Sequence, residues 1–317
     1  MESVKTPSTG WKSWSARKKS LIFGSILLFI VALAVGLGVG LGLGLNDDND
    51  DDDNDNDSGG DTGGGDDANN NTAIWQPAVG TSWQIVLRYA LNDTSVDVDV
   101  YDIDLYDNDV DTIEELHDKG RKVICYFSAG TYEDWRDDAD DFPESDIGDE
   151  LPDWPGESWV DIRSNAIRDI MTARLDLAQR KGCDGVDPDN VDGYDNDNGL
   201  DLSEDDSVDY MNWLSRQAGS RGLSIGLKNA GAIIGRVISG MQWSVNEQCA
   251  QYNECDVYAA FVRAGKPVFH IEYPKGDEVN DEVEVVGRKK SEACEFGESG
   301  FSTLIKNMNL DNWVQTC

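Results

Sequence analysis

Histidine is almost missing from this chain: His117 and His270 are the only two in 317 residues. With no CxxC pair either, the sequence carries no zinc signature, because zinc sites are built from clustered imidazole and thiolate ligands. The same scarcity gives no support to a hydrolytic Ser–His–Asp triad, which needs an imidazole to carry the proton. Cations are also few. Lys and Arg number 26 against 62 Asp and Glu, for a formal net charge of −36. No basic patch with interleaved aromatics occurs, so nucleic acid is not an expected partner. No Gly-rich phosphate turn follows the first strand pattern, which argues against a dinucleotide fold. No cofactor is expected.

What is present divides sharply. Residues 1–20 are basic, with Lys5, Lys12, Arg17, Lys18 and Lys19 against Glu2. Residues 21–45 carry no charge. At about 1.5 Å per residue, a helix of that length crosses a hydrocarbon layer roughly 30 Å thick. The run exceeds the roughly 7 to 15 apolar residues of a cleaved signal and lacks an obvious small-residue cleavage site. A single-pass anchor is therefore expected, with the basic tail cytoplasmic and the rest of the chain outside. Residues 46–71 are mostly Asp, Asn and Gly with no apolar periodicity, which reads as a disordered, self-repelling tether.

Removing the five bases and one acid of 1–20 and the eleven aspartates of 46–71 leaves 21 bases against 50 acids. Residues 72–317 thus carry −29 and are long enough for one substantial core. They hold all six cysteines: Cys125, Cys183, Cys249, Cys255, Cys294 and Cys317. An even number in an exported domain suggests disulfides, and sequence alone leaves the pairing open. Sequons start at Asn56, Asn70 and Asn92. A monomeric ectodomain is expected.

Eight strand patterns alternate with amphipathic ones, at 83–89, 97–107, 122–128, 182–189, 223–230, 243–249, 267–273 and 301–307. Helical stripes include Ile113 and Leu116 before Gly120, and Ile167, Ile170, Met171, Leu175 and Ala178 before Gly182. This alternation predicts a (β/α)₈ TIM barrel; a doubly wound open sheet is the runner-up.

The C-terminal strand ends are polar. In the second strand Val98 and Val100 share a face with Asp102 and Asp104, because side chains alternate. The fourth ends in Asp187 and Asp189, the fifth in Lys228 and Asn229, the sixth in Asn246 and Glu247, and the seventh in Glu272 and Tyr273. In such a barrel this rim is where a site is built. Two carboxylates facing one another across it suit glycosidic cleavage, one giving a proton and the other attacking or activating water. Asp189 and Glu247, two strands apart, are the expected pair, with Lys228 between them. Tyr89, Tyr126 and Tyr273 could line a sugar cleft.

Other readings of these residues were weighed. "CDGVDPDNVDGYDND" does not fit a calcium loop: counted from Asp187 the fifth position is Val191, and from Asp195 it is Gly199. Asp195, Asp197 and Asp201 are read as solvated loop. Lys228 could form a Schiff base with a carbonyl substrate, or serve only as an ion-pair partner. The domain could instead be a non-catalytic adhesin for a cationic glycan. His117 is expected solvated; His270, alternating with Val268 and Glu272, is read as pointing into the barrel in a packed role. Trp75, Trp83, Trp154 and Trp243 are read as core.

The segments "GVDPDNVDGY", "GLSIGLKNA", "NEQC…YNEC" and "GKPVFHIEY" together resemble glycoside hydrolase family 114, the endo-α-1,4-polygalactosaminidases. The resemblance covers roughly residues 75–310. It is strongest to membrane-anchored fungal members acting on galactosaminogalactan, a polymer of galactose and partly deacetylated N-acetylgalactosamine. It implies a TIM barrel, catalytic carboxylates at Asp189 and Glu247, and a cationic galactosamine-containing polysaccharide as partner. Asp102, Tyr126, Asp187, Asn190, Lys228, Asn229, Glu272 and Tyr273 are the expected substrate-binding residues.

Overall fold

The structure is a computed structural model and describes residues 74–317. The expected basic tail, anchor and tether lie outside the described residues. Among the described residues no helix is long and apolar enough to cross a membrane.

All eight expected strands form, seven of them shorter than their patterns and the third at full length. The chain runs through β1 (Trp83–Val86), β2 (Val100–Asp104) and β3 (Lys122–Ser128). An insertion then supplies β4 (Thr131–Glu133), β5 (Ile147–Glu150) and β6 (Glu157–Val160). The main sheet resumes with β7 (Gly185–Asp189), β8 (Ser224–Lys228), β9 (Trp243–Glu247), β10 (Val268–Glu272), β11 (Phe301–Lys306) and β12 (Val314–Thr316). Its spatial order is β1-β2-β3-β7-β8-β9-β10-β11-β12, and every pairing from β1 to β11 is parallel. β12 returns antiparallel on β11. This is a nearly closed barrel of the TIM type. No ladder joins β11 to β1. The seam is bridged instead by Trp83 Nε1 donating to Ser302 O at 2.7 Å and Lys306 Nζ donating to Gln84 Oε1 at 3.0 Å.

Side-chain alternation sorts the strands into two apolar layers. Trp83, Ile85, Val100, Ile124, Trp243, Val245, Phe269, Ile271 and Leu304 fill the barrel. Residues of the opposite parity, such as Val86, Ile103, Val123, Phe127, Val186 and Leu227, meet the surrounding helices. Each such side chain taken from water contributes roughly 1.5–3 kcal/mol. Trp243 needs room that β8 provides only as glycine: a Cβ on Gly226 would lie 2.1 Å from the indole Nε1.

The two helices read from the pattern, and a third, form with definable ends. They are α1 (Val110–Asp118), α2 (Asn165–Lys181) and α3 (Glu204–Ser220). Asp109 and Ser164 cap α1 and α2 by accepting backbone N–H groups. Gly182 stops α2 in the left-handed region at φ 88°. A reciprocal Ser203–Asp206 capping box starts α3 at Glu204, a few residues before its apolar stripe begins.

Three disulfides join Cys125 to Cys183, Cys249 to Cys255 and Cys294 to Cys317. The first links β3 to the chain entering β7. The second staples the loop directly after β9.

Candidate active site

The parity that places Trp83, Val100 and Trp243 inside the barrel continues up each strand to the rim. Asp102, Tyr126, Asp187, Asp189, Lys228, Glu247 and Tyr273 all share the inward face. Lys228 is the hub. Its Nζ lies 3.3 Å from Asp189 Oδ2, 3.5 Å from Glu247 Oε2 and 3.7 Å from Asp187 Oδ2, and 5.2 Å from the centre of the Tyr126 ring. Burial alone would push this lysine down. The carboxylates of Asp189, Glu247, Asp187 and Asp102 outweigh it and hold the ammonium well above the usual lysine range.

Asp189 is held from two sides: the Tyr126 hydroxyl donates to Oδ2 at 3.0 Å and the Asn190 N–H donates to Oδ1 at 2.7 Å. Glu247 receives the Tyr273 hydroxyl on Oε1 and the Asn229 amide on Oε2, the latter at 3.3 Å. The Glu247 N–H in turn donates to Asn229 Oδ1 at 2.9 Å. Asn190, Asn229 and Gln248, which follow Asp189, Lys228 and Glu247, all have positive φ. The chain therefore turns sharply after each functional side chain, a conformation asparagine tolerates better than most residues.

Beneath this layer Asp102 and Asp187 are completely buried, and no other residue donates a hydrogen bond to any of their four oxygens. The two carboxyls lie close enough to bear on one another's charge. Burial, then the Asp187 charge, keeps Asp102 well above the usual range. Burial pushes Asp187 up to about 7 against the pull of Lys228. Neither reaches solvent, so both underlie the site rather than contact a polymer.

Glu272 departs from the expectation. It shares the outward parity of Val268 and His270, and its Oε1 accepts from Ala250 N at 2.8 Å and from His270 Nε2 at 2.9 Å. It fixes the loop after β9 from outside the barrel and does not line the cleft. His270 likewise points outward, against Cys249, Thr303 and Phe296. The sulfurs of Cys249 and Cys255 lie with His270 within 4.8 Å of one another, but they are bonded together and so are not thiolate ligands. Tyr89 accepts a hydrogen bond from Asn312 N and stands outside the cleft wall. His117 contacts Asp184 at 2.8 Å.

A cleft of about 640 Å³ opens over Asp189, Lys228 and Glu247. Much of one wall is the β4–β6 insertion, which carries residues that sequence reading missed: Glu133, Trp135, Arg136 and Glu157. Trp154, expected in the core, is 57 % exposed on this wall, and Trp135 is 53 % exposed. Arg136 ties the insertion to the barrel, reaching Asp104 at 2.7 Å and Glu133 at 2.8 Å. Gly130 allows the close approach: a Cβ there would lie 1.7 Å from the Asn190 carbonyl oxygen. Asp192 also lines the cleft, where burial and the Asp189 charge push it up to about 6.

The family model for glycoside-hydrolase family GH114 matches residues 64–317. The chain belongs to this family. As a GH114 member it is a glycoside hydrolase. The crystal structure of Aspergillus fumigatus Ega3 in complex with galactosamine is 65 % identical in sequence, with a TM-score of 0.77, covering 78 % of this chain and 98 % of that one. The glycoside hydrolase domain of PelA from Pseudomonas aeruginosa is 14 % identical, with a TM-score of 0.56 over 74 % of this chain and 98 % of that one, and shares the fold. A comparison with curated proteins finds no match.

Proposed function

We propose that this GH114 protein is an endo-acting hydrolase of α-1,4-galactosaminidic linkages in partly deacetylated galactosaminogalactan. The observation that carries the reading is the single Lys228 ammonium set between Asp189 and Glu247 at the floor of an open cleft. The galactosamine bound to Ega3, a protein 65 % identical, supports the sugar assignment.

The two carboxylate oxygens that flank Lys228 cannot be farther apart than their two distances to it combined, about 6.8 Å. Any bend at the nitrogen places them closer than that. Retaining glycosidases hold their carboxyls at about 5–5.5 Å, whereas inverting ones leave about 6.5–9.5 Å for a water. The geometry favours retention. Asp189, steadied by Tyr126 and Asn190, attacks the anomeric carbon. Glu247 is the general acid that gives a proton to the departing glycosidic oxygen. Water then enters, Glu247 takes its proton, and the bond from Asp189 to the sugar breaks. Lys228 stays protonated through its carboxylate partners, so it has no free lone pair for a Schiff base.

The acidic domain and its cleft should favour deacetylated, cationic polymer over the acetylated form, and lose that preference as salt rises. The apolar run at 21–45 and the acidic stretch at 46–71 support a reading in which the hydrolase is displayed outside the cell on a single-pass anchor and tether. The three disulfides fit an oxidising compartment.

The test is release of new reducing ends from deacetylated galactosaminogalactan by the purified domain. Release by the wild type but not by Asp189→Asn or Glu247→Gln is expected. Binding without release would favour an adhesin.

A further inference from the structure

Overall acidity draws a polycation to the cleft but does not choose among its units. We propose that Glu157 is the specificity-determining residue that reads the substrate's ammonium group, pairing with a galactosamine unit seated between Asp189 and the insertion wall. This rests on the hydrolase reading above and adds to it the residue that recognises charge.

Glu157 begins β6, lines the cleft and is only 6 % exposed. Its Oε1 accepts three hydrogen bonds, all from neutral groups: Thr131 Oγ1 at 2.5 Å, Asn190 Nδ2 at 2.8 Å and Ser128 Oγ at 3.4 Å. No described residue donates to Oε2, and that atom is not sealed off from the cleft. The carboxyl is therefore gripped by one oxygen while the other is left for a ligand.

No cation among the described residues answers it. Arg136 is committed to Asp104 and Glu133, and Lys228 to Asp187, Asp189 and Glu247. The charged groups that bear on Glu157 are Glu133 on β4 and Asp189 on β7, both of its own sign. A buried carboxylate with like charges around it and no counter-ion is costly. Burial first, then these neighbours, pushes its carboxyl up to about 7. An ammonium on the substrate supplies the missing charge. A neutral N-acetyl group or a galactose hydroxyl does not.

Asn190 connects this group to the chemistry. Its side chain holds Glu157 Oε1, while its backbone N–H holds Asp189 Oδ1. The ammonium-reading group thus stands one residue from the nucleophile, where the reacting sugar must lie.

Glu157→Gln tests the assignment, because an amide oxygen can still accept from Thr131 and Asn190. The measurement is kcat/KM on fully deacetylated and fully N-acetylated oligomers, at low salt. The ratio of the two is expected to fall roughly 10- to 100-fold, the worth of a charge-assisted hydrogen bond. Glu157→Asp, which keeps the charge, should retain more of the preference than the glutamine variant. A fall of both rates in the same proportion would overturn the proposal. If neither variant folds, galactosamine oligomer binding to the wild type is followed by calorimetry in two buffers of different ionisation enthalpy near pH 7. Proton release that Asp192→Asn leaves unchanged supports the pairing, and its absence overturns it. A wild type that cleaves neither oligomer would instead sink the hydrolase reading itself.

Discussion

Asp102 and Asp187 lie together beneath Lys228, fully buried, with no hydrogen bond from any other described residue, and burial raises both carboxyls. If Asp102 is the neutral donor, an amide of the same shape can replace it. Asp102→Asn is expected to keep most activity and thermal stability. Asp102→Val leaves the Asp187 carboxylate without a donor and should cost about 1–3 kcal/mol in urea unfolding. Equal damage from the two substitutions would show that Asp102 is not that donor.

Lys228, itself buried, balances several carboxylates at the floor of the cleft. Removing its charge strands them. Lys228→Met is expected to destabilise the domain by roughly 3–5 kcal/mol, the usual result of breaking a buried ion pair from one side. Denaturant unfolding measures this. Activity should fall with it, because Asp189 and Glu247 lose the group that holds them together.

The close spacing of Asp189 and Glu247 predicts the stereochemistry of the product. Proton NMR early in the reaction should show the α-anomer first, before mutarotation. First appearance of the β-anomer would mean inversion and a water between the carboxyls.

Stability should depend on pH in two opposed ways. Asp187 and Glu157 are pushed up to about 7 and Asp192 to about 6 in the folded protein. Carboxyls raised in this way contribute stability that is fully present below their unfolded values, near 4, and is lost as pH rises through 6 to 7. Lys306, buried at the barrel seam, is pushed down by desolvation to about 7. Its contribution has the opposite sign: stability is regained as pH rises from 7 towards its unfolded value near 10.5. The melting temperature should therefore fall from pH 5 to 7 and partly recover by pH 9. Lys306→Met should flatten the recovery.

Much of this was legible in the sequence because barrel strands obey a two-residue rhythm. The run "VYDID" carries its inner face in its spacing, and so do "GVDPD" and "WSVNE". That is why Asp189, Lys228 and Glu247 could be placed on one rim before any coordinates. The same rhythm places Glu272 with Val268 and His270 on the outer face of β10, and its neighbour Tyr273 on the inner one. Glu272 was misplaced because a polar strand end was read as a site without following the parity of its strand.

Composition and periodicity therefore determined the strand–helix alternation, the acidic surface, and which strands carry the acids, since these depend on local spacing and charge. The tertiary structure alone decided which oxygens share Lys228, that two aspartates are buried together beneath it, and that an insertion from elsewhere in the chain brings Glu157 and Trp154 over the cleft. Those relationships join residues tens of positions apart. Their energies arise from desolvation and Coulomb contact, which exist only once the barrel has closed around them.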